Sequence, residues 1–311
     1  MSDPPSRPPG QPPGQPAGQP PSHADLAALA ALHDLPKLGG RPRLPDYVRQ
    51  LWGRRYFCFE LARARFRSQN EQDRLGIGWI VLRPLINAAV YGFIFGLLLP
   101  RNSRQENFVA SLVVGVFIFQ FFAACLTDGA RSITGNSGLV RSLHFPRAVL
   151  PFATVIEQVL ALGPMVVVML VIGLLTGEPV RVQWLQIIPA LALMTLFCTG
   201  IAMMTARITI HVRDVTQLLP FVTRIVFYLS GIFYKNPAAP GAPAPSGGQA
   251  LLSTVLEYNP VHVYISLVRG AVIVGEAAPP RTWLLGAAFA LVFAVAGFIY
   301  FWAAEERYGR E

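Results

Sequence analysis

The chain has 311 residues, of which 53% are hydrophobic and only 14% are charged. A soluble domain carries roughly a quarter of its residues as charges, so this composition excludes an ordinary soluble protein and indicates an integral membrane protein. The net charge of +9 comes mainly from arginine, because Lys37 and Lys235 are the only lysines. The arginines flank apolar stretches, as topology-setting and lipid-binding residues do, and no nucleic-acid motif accompanies them. We therefore expect no nucleic-acid partner.

The first 45 residues differ from the rest of the chain. Residues 8–21 have the sequence PPGQPPGQPAGQPP, which offers almost no side chain to bury and many prolines that prevent regular hydrogen bonding. We predict a disordered tail over residues 1–45 and a transmembrane domain over residues 46–311. The start, MSDPPSRPPG, lacks the apolar core of a signal peptide, so we expect no cleaved targeting segment. The three cysteines share no metal-binding spacing, and we expect buried thiols and no metal site.

A helical pattern runs from Tyr47 to Arg67. Apolar residues recur on one face and arginines project from the other, which is typical of a helix that lies in the lipid headgroup region. The apolar face consists of Val48, Leu51, Trp52, Tyr56, Phe59, Ala62 and Phe66, and the arginine face consists of Arg49, Arg54, Arg65 and Arg67. A helix packed on a soluble partner is the alternative.

Six apolar runs have about the 20 residues that a helix needs to cross a 30 Å hydrocarbon core. They are Trp79 to Leu99, Phe108 to Thr127, Val149 to Leu175, Trp184 to Ala206, Thr216 to Tyr234 and Thr282 to Ala303. The sequence therefore predicts an all-α membrane protein with six transmembrane helices.

Basic residues beside these runs predict the orientation, since they accumulate on the cytoplasmic side. With both termini in the cytoplasm, the inside holds the arginines from Arg41 to Arg83 together with Arg131, Arg141, Arg147, Arg207, Arg213, Arg307 and Arg310. The outside then holds Arg101, Arg104, Arg181, Lys235, Arg269 and Arg281.

The segment from Leu251 to Val274 resists this count, because it is apolar but contains Glu257, Asn259, Pro260, His262 and Arg269. A seventh span would place the carboxyl terminus outside. Polar groups and irregular backbone are tolerated at membrane depth only against protein or water. We therefore predict a pair of short helices that dip in from the outer side before the last span.

A charged interruption from Asp128 to Pro151 separates two of the apolar runs. Each ionised group at the bilayer centre costs about 2.5 to 3.5 kcal/mol on insertion scales, so this stretch belongs at a water interface. Pro146 and Pro151 mark the end of a short helix. Leu139, Leu143 and Phe145 offer an apolar contact surface, although a lipid-facing amphipathic turn would have the same pattern.

Four motifs in order resemble one protein family. They are Leu75 to Trp79 running into Leu82-Arg83-Pro84, Asn136 to Pro146, Arg213-Asp214 leading to Pro220 and to Phe227 through Ser230, and Asn259-Pro260 followed by Arg269. From about residue 46 onward the chain resembles the permease subunits of ABC-2 type exporters. The closest likeness is to the branch that exports polysaccharides such as O-antigens, teichoic acids and actinobacterial galactan.

The resemblance implies a transport subunit of the bacterial inner membrane rather than an enzyme. In that family two permeases, here a homodimer, pair with two cytosolic ATPase subunits, and a polysaccharide linked to a polyprenyl diphosphate passes between the permeases. This chain has no glycine-rich phosphate loop ending in Lys and Ser or Thr, so it has no means of holding ATP. ATP and magnesium are then expected on the partner, with no cofactor on this chain.

The resemblance also assigns roles to individual residues. The loop after the second span corresponds to the family's ATPase-coupling helix, which implies contact with the ATPase at Asn136, Leu139, Arg141, Leu143, Phe145 and Pro146. The first and fifth spans border the path in that family and are rich in aromatic residues, whose rings suit the flat faces of sugars. The expected glycan path comprises Tyr91, Phe95, Phe227, Tyr228, Phe233 and Tyr234. Packing or headgroup contact is the alternative for each ring.

Charged residues elsewhere suggest lipid or path contacts. Arg54, Arg55 and Arg63 suit the diphosphate of a carrier lipid or ordinary lipid headgroups, because guanidinium forms bidentate contacts with phosphate. Glu157 and Arg224 lie within spans, where we expect either a pair between them or a place in the path.

Two other functions remain open. An ABC-2 exporter of a drug or a lipid would share the fold. An integral membrane acyltransferase or glycosyltransferase would need a cluster of acid and base groups, whereas His23, His33, His144, His211 and His262 are scattered along the chain.

Overall fold

The structure of the chain is a computed structural model that describes residues 43–71, 75–76, 78–98, 107–142, 145–233 and 247–305. Every regular element in these ranges is a helix, which confirms the predicted all-α class for them. The helices are α1 (Leu44–Gly53), α2 (Arg55–Glu71), α3 (Gly78–Leu98), α4 (Phe108–Arg131), α5 (Ser137–Ser142), α6 (Val149–Leu175), α7 (Ile187–His211), α8 (Val215–Tyr228), α9 (Gly248–Glu257), α10 (Pro260–Val272) and α11 (Pro280–Trp302). Short 3₁₀ turns, Thr134–Asn136 and Val182–Gln186, precede α5 and α7.

Four helices in the described ranges are long and apolar enough to cross a membrane: α4, α6, α11, and α7 extended by its 3₁₀ turn. α3 and α8 also form apolar helices at predicted spans, but their apolar parts are shorter. The 14 residues of α8 extend about 21 Å at 1.5 Å per residue, which is less than a 30 Å hydrocarbon core. The count of six spans therefore stays a prediction. The predicted tail falls almost wholly on residues 1–42, outside the described ranges.

α4 is the central helix of the bundle. All its residues from Ala110 to Phe119 are buried, because the run is apolar on every side and packs against α3, α6, α7, α8 and α10. A helix that is apolar all round is stable only when neighbours surround it, and α4 meets that condition.

α7 and α11 make the closest helix contact in the bundle, at two glycines. A Cβ atom on Gly200 would overlap the carbonyl group of Phe293, and a Cβ atom on Gly297 would overlap the backbone of Gly200. Small residues let helix backbones approach in this way, which gains van der Waals contact that larger side chains would prevent.

Two buried glutamates mark opposite ends of the bundle. Glu305 is bonded to Arg147, just before α6, and Glu178 lies just after α6. The Glu178 carboxylate accepts hydrogen bonds from Asn107 Nδ2 at 2.8 Å and from the Val274 backbone N–H at 2.8 Å. We call these the Glu305 end and the Glu178 end.

The segment from Leu251 to Val274 belongs to two helices, α9 and α10, and not to one continuous span. The Asn259 side chain accepts a hydrogen bond from the Val261 N–H and so caps the start of α10. α10 begins inside the bundle, where the Tyr264 ring contacts Phe197 with centroids 5.3 Å apart. It ends beside Glu178, through the bond to Val274. Arg269, which we expected among the residues facing the outside, is buried in the bundle.

The amino-terminal pattern forms two helices, α1 and α2, where we predicted one interfacial helix from Tyr47 to Arg67. α1 ends at Gly53, and the Arg54 backbone N–H bonds to carbonyls one turn earlier. The predicted apolar face divides between two environments. Ala62 is buried together with its neighbours Tyr47 and Cys58, whereas Trp52 and Tyr56 are 70% and 72% exposed. The inner part packs on the bundle, and the outer part offers aromatic rings to its surroundings.

Arg65 does not lie on the exposed arginine face, and that prediction is wrong. Its guanidinium turns toward the bundle, where Nη2 donates to Asn136 Oδ1 at 2.9 Å and Nη1 donates to Thr154 Oγ1 at 3.5 Å. The helical period alone placed Arg65 with Arg49 and Arg54, but polar acceptors on the neighbouring elements draw it inward.

Candidate functional site

The predicted ATPase-coupling segment crosses the Glu305 end of the bundle between α4 and α6. Asn136 ends a 3₁₀ turn, Leu139 lies in the six-residue helix α5, and Phe145 and Pro146 follow. Leu139 and Phe145 are half-buried and pack against the cluster that contains Ile133 and Leu150. Pro146 is buried. The side chain of Arg141 and all of Leu143 lie outside the described residues.

Asn136 anchors this segment to the amino-terminal helices. It accepts a hydrogen bond from Arg65 through Oδ1 and donates through Nδ2 to the Ser132 carbonyl at 2.6 Å. Burial lowers the pKa of the Arg65 guanidinium below its ordinary value, and the nearby Glu157 carboxylate opposes that shift. Because Arg65 bonds Asn136, the 3₁₀ turn is mechanically linked to α2.

The far side of the segment is held by a second group of side chains, which we call the Glu305 node: Tyr47, Arg147 and Glu305. Glu305 Oε2 accepts from the Tyr47 hydroxyl at 2.8 Å, and Oε1 accepts from the Arg147 backbone N–H at 3.0 Å. The Arg147 guanidinium donates to the Glu305 carbonyl at 2.6 Å. The Ala148 N–H donates to the Tyr47 oxygen at 3.1 Å. The node joins α1, the start of α6 and the end of α11.

Sequence reasoning did not identify Tyr47 or Glu305. Tyr47 is the first residue of the predicted amphipathic pattern, and Glu305 follows the last predicted span. Neither position by itself indicates a buried polar contact. The pair is separated by 258 residues, and only the fold brings the two side chains together.

Four of the six residues predicted for the glycan path meet in one aromatic cluster. The ring centroids are 5.0 Å apart for Tyr91 and Phe227, 5.5 Å for Tyr91 and Phe233, and 5.7 Å for Phe227 and Tyr228. α3, α8 and the chain after α8 supply these residues, so the two predicted spans meet at these rings. The side chain of Phe95 and all of Tyr234 lie outside the described residues.

The cluster extends into α4 through residues that we did not predict. Phe119 contacts Phe227 at 4.8 Å and Phe122 at 5.9 Å, and Phe122 contacts Phe197 of α7 at 6.3 Å. The run from Phe117 to Phe122 is dense in phenylalanine, and this density could have pointed to the contact. Phe227 and Phe233 are buried beneath these rings, whereas Tyr228 is 46% exposed. In the described part of the chain, the cluster is open to another molecule on the Tyr228 and Tyr91 side.

Glu157 and Arg224 do not pair with each other. Glu157 is buried near Arg65 and accepts a hydrogen bond from Gln69, so its partners come from α2. Arg224 is exposed on α8 and interacts electrostatically with the Tyr91 hydroxyl. No carboxylate lies within 4.0 Å of its guanidinium in the part of the chain that the structure describes. Arg224 therefore adds a positive charge to the open side of the aromatic cluster.

Two of the three arginines predicted for phosphate or headgroup contact have neighbours on their own helices. Arg55 lies over Trp52 and Tyr56, with its guanidinium carbon 5.3 Å and 4.5 Å from the two ring centroids. Arg63 lies further along α2 in a 3.9 Å contact with Glu60. The exposed cation and aromatic group around Arg55 suits a headgroup region.

Within the described ranges, no group of three or more His, Cys, Asp or Glu residues is placed to hold a metal ion. Cys58, Cys125 and Cys198 are free thiols buried in the bundle.

Comparison with known proteins agrees with this architecture. The model of the ABC-2 type transporter family matches residues 56–273, which is most of the described bundle. The chain belongs to the ABC-2 type transporter family. It is also similar to an O-antigen export system permease protein RfbA of Klebsiella pneumoniae, with 26% identity over 192 residues. That alignment spans 61% of this chain and 70% of the relative. A second Klebsiella pneumoniae protein of the same name is 26% identical over 187 residues, or 60% of this chain and 68% of that relative.

As a member of this family, the chain is a permease of an ABC-2 type transporter, and its apolar helices place it among multi-pass membrane proteins. Its named relatives are transport permeases, as expected for a subunit that transports rather than catalyses.

Proposed function

We propose that the chain is the membrane subunit of an ATP-driven exporter that moves a polyprenyl-diphosphate-linked polysaccharide across the bacterial inner membrane, from the cytoplasmic to the outer side. The observation that carries this proposal is the 26% identity to a protein named as an O-antigen export permease, over 192 residues. In the proposed assembly two copies of the chain form a homodimer with two ATPase subunits, which supply ATP and magnesium. Six helices cross the membrane, with α3 and α8 as the first and fifth, and both termini lie in the cytoplasm.

The anchoring of the coupling segment supports a mechanical role. Arg65 holds Asn136 at one side of the segment, and the Glu305 node holds Arg147 at the other. Force applied by an ATPase between these anchors reaches α2, α6 and α11 without further contacts. The exposed surface available for such a partner includes Thr134, Gly135, Ser137 and Gly138.

The open side of the aromatic cluster supports a path for the glycan. Arg224 lies nine residues after the start of α8, about 14 Å along the helix axis, among the exposed residues Phe221 and Ile225. An arginine at such a depth is unfavourable against lipid and faces a water-filled cavity or another protein. With Tyr91 and Tyr228 beside it, this face combines rings for sugar contact with a charge for the diphosphate. We propose that it borders the path between the two copies.

The function is tested in lipid vesicles that contain the chain together with its ATPase subunit. We expect ATP hydrolysis to rise when an undecaprenyl-diphosphate-linked O-antigen is added, and the glycan to become accessible to a hydrolase on the far side. Stimulation by undecaprenyl phosphate or by a drug, with none by the glycan-bearing lipid, would support the alternative exporter and contradict the polysaccharide proposal.

The coupling contact is tested with two glycines that have open space where a side chain would be added, Gly138 in α5 and Gly53 at the end of α1. We expect Gly138→Trp to weaken binding of the ATPase about tenfold, which is about 1.4 kcal/mol, because the indole occupies the docking surface. Gly53→Trp is the matched control and should bind normally. Titration of the purified ATPase onto each variant measures this, and equal affinity of both variants would contradict the assigned contact.

A further inference from the structure

Side chains at the start of α10 and within it form hydrogen bonds with the backbone that follows α8. The Asn259 side chain donates from Nδ2 to the Leu229 carbonyl at 2.9 Å, and His262 Nδ1 lies 2.9 Å from the Ser230 carbonyl. Arg269 donates from Nη1 to the Gly231 carbonyl at 3.0 Å and from Nη2 to the Ile232 carbonyl at 2.9 Å. Three side chains of one short helix region thus satisfy four consecutive carbonyl groups.

These bonds provide donors for carbonyl groups that have no partner in a regular helix. α8 ends at Tyr228, and Gly231 has a φ of +69°, so residues 229–232 cannot continue the helix. The carbonyls of Ser230, Gly231 and Ile232 lie inside the bundle, where a buried acceptor without a partner is destabilising. A Cβ on Gly231 would lie 2.6 Å from His262 Nδ1, so the two elements already touch.

Arg269 also connects this assembly to the central helix. Its Nε and Nη2 atoms donate to the Ser111 carbonyl of α4 at 3.2 Å and 3.1 Å. The guanidinium is buried, with 3% of the residue exposed, and all its hydrogen bonds in the described structure go to backbone carbonyls. The side chains of Asn259, His262 and Arg269 bond the chain after α8, and Arg269 also bonds α4, on which α10 packs directly.

We propose that Asn259, His262 and Arg269 are positioning residues that join α10 and the end of α8 into one body, so that Tyr228 and Phe233 move with α10 during transport. This proposal rests on the proposed function only in giving the aromatic residues a role in transport, because the joint movement of the two helices needs no assumption about the cargo.

The chemistry of each side chain defines variants that change its own hydrogen bonds and leave those of the other two side chains in place. Asn259→Ser keeps an oxygen that caps α10 but loses the donor to Leu229. In His262, Nδ1 carries the proton, because a carbonyl only accepts, and Nε2 then accepts from the Ser266 hydroxyl at 3.3 Å. His262→Asn places an amide nitrogen where Nδ1 was, and His262→Leu removes the donor. Arg269→Lys keeps the charge but lacks the planar fork that reaches Ser111 and Ile232 together.

A distance measurement tests the joint movement directly. Spin labels are placed at Val222→Cys on α8 and at Val274→Cys just after α10, both exposed, in the full chain bound to its ATPase; the native cysteines are buried. We expect a narrow distance distribution that is the same with and without ATP, and a broad one in Arg269→Lys. A change with ATP in the unsubstituted background, or a narrow distribution in Arg269→Lys, would overturn the proposal whatever the cargo is.

A transport measurement tests the role of the bonds. For properly assembled complexes, we expect Asn259→Ser, His262→Leu and Arg269→Lys each to lower glycan-stimulated ATP hydrolysis about tenfold while basal hydrolysis stays within about twofold. His262→Asn should restore stimulation toward the unsubstituted level, which loss of folding would not allow. Equal stimulation in His262→Leu and His262→Asn would overturn the positioning role. If the unsubstituted complex shows no response to the glycan, only the proposed function fails.

Discussion

In both the Glu305 node and the Arg269 contacts, one charged side chain joins several elements of the bundle, but the two charges have opposite sign. At the node, one carboxylate gathers donors from α1 and from the start of α6. In the interior, one guanidinium gathers carbonyls from α4 and from the chain after α8. The Glu305 carboxyl can take up a proton and its partner Arg147 has a side chain 23% exposed. Arg269 stays charged and is almost completely buried.

This difference matches what each region has to do in the proposed exporter. A node beside the coupling segment has to loosen and re-form as the segment moves, and the partly exposed Arg147 side chain can exchange its bond to the Glu305 carbonyl for one to water. Bonds that hold irregular backbone inside the bundle have no such replacement, because an open acceptor there stays unpaired. We therefore expect the bonds at the Glu305 end to break and re-form during the cycle, and the bonds around Arg269 to stay in place.

The largest effect is expected from Arg269→Leu. The substitution removes the guanidinium bonds to the carbonyls of Ser111, Gly231 and Ile232, and we expect a loss of about 3 kcal/mol or more in the free energy of unfolding. Equilibrium unfolding in mixed detergent micelles measures this. The control is Arg281→Leu, which removes an exposed 2.6 Å ion pair with Glu257 and should cost no more than about 1 kcal/mol. Equal losses for the two variants would break the comparison.

A smaller effect is expected from Tyr47→Phe and Glu305→Gln. Tyr47→Phe removes the donor to Glu305 and the acceptor for the Ala148 N–H, and we expect a loss of about 1–2 kcal/mol in the free energy of unfolding. The loss of unfolding free energy in the double variant should be smaller than the sum of the two single-variant losses by about 0.5 kcal/mol or more, since the two residues share one bond. Additive losses would mean that the node does not act as a unit.

The smallest effect is the dependence of stability on pH. Burial raises the pKa of the Glu305 carboxyl above its ordinary value of 4.5, and the hydrogen bonds from Arg147 and Tyr47 oppose the shift. A carboxyl with a raised pKa contributes stability that is fully present below 4.5 and is lost as the pH rises through the folded-state pKa. We expect Glu305→Gln to remove this part of the decline, seen by comparing unfolding of both proteins across this range. A steeper decline in Glu305→Gln would reverse the assigned sign.

Most helix positions followed from hydrophobic run length, because a long apolar segment has few ways to bury itself. The predicted run Val149 to Leu175 coincides with α6, and the run from Phe108 lies within α4. Local pattern also explains why Leu251 to Val274 was not taken for an ordinary span, since Asn259 and Pro260 interrupt it where α10 begins.

Side-chain contacts between distant elements did not follow from the sequence. Arg65 was assigned to the wet face because its helical position matches that of other arginines, yet its partner Asn136 lies 71 residues away. Glu157 and Arg224 are both polar groups within predicted spans, which left a pair between them and a place in the path equally open, but α2 supplies the partners of Glu157. Periodicity gives the direction of a side chain on its own helix, whereas the partner depends on which helices pack together. For the same reason, the sequence did not predict the contacts of Phe119, Tyr47 and Glu305.

The glycine contact between α7 and α11 has a consequence for how the protein is made. Among the described helices α11 leaves the ribosome last, and a Cβ on Gly200 of α7 would overlap its backbone. Until α11 arrives, lipid tails are a poor match for that rigid contact. Among the described helices the docking of α11 therefore comes last, and the bond between Tyr47 and Glu305 then ties the first of them to the chain after α11. A nascent chain halted before Pro280 would expose an unfinished seam that membrane quality-control proteases can recognise.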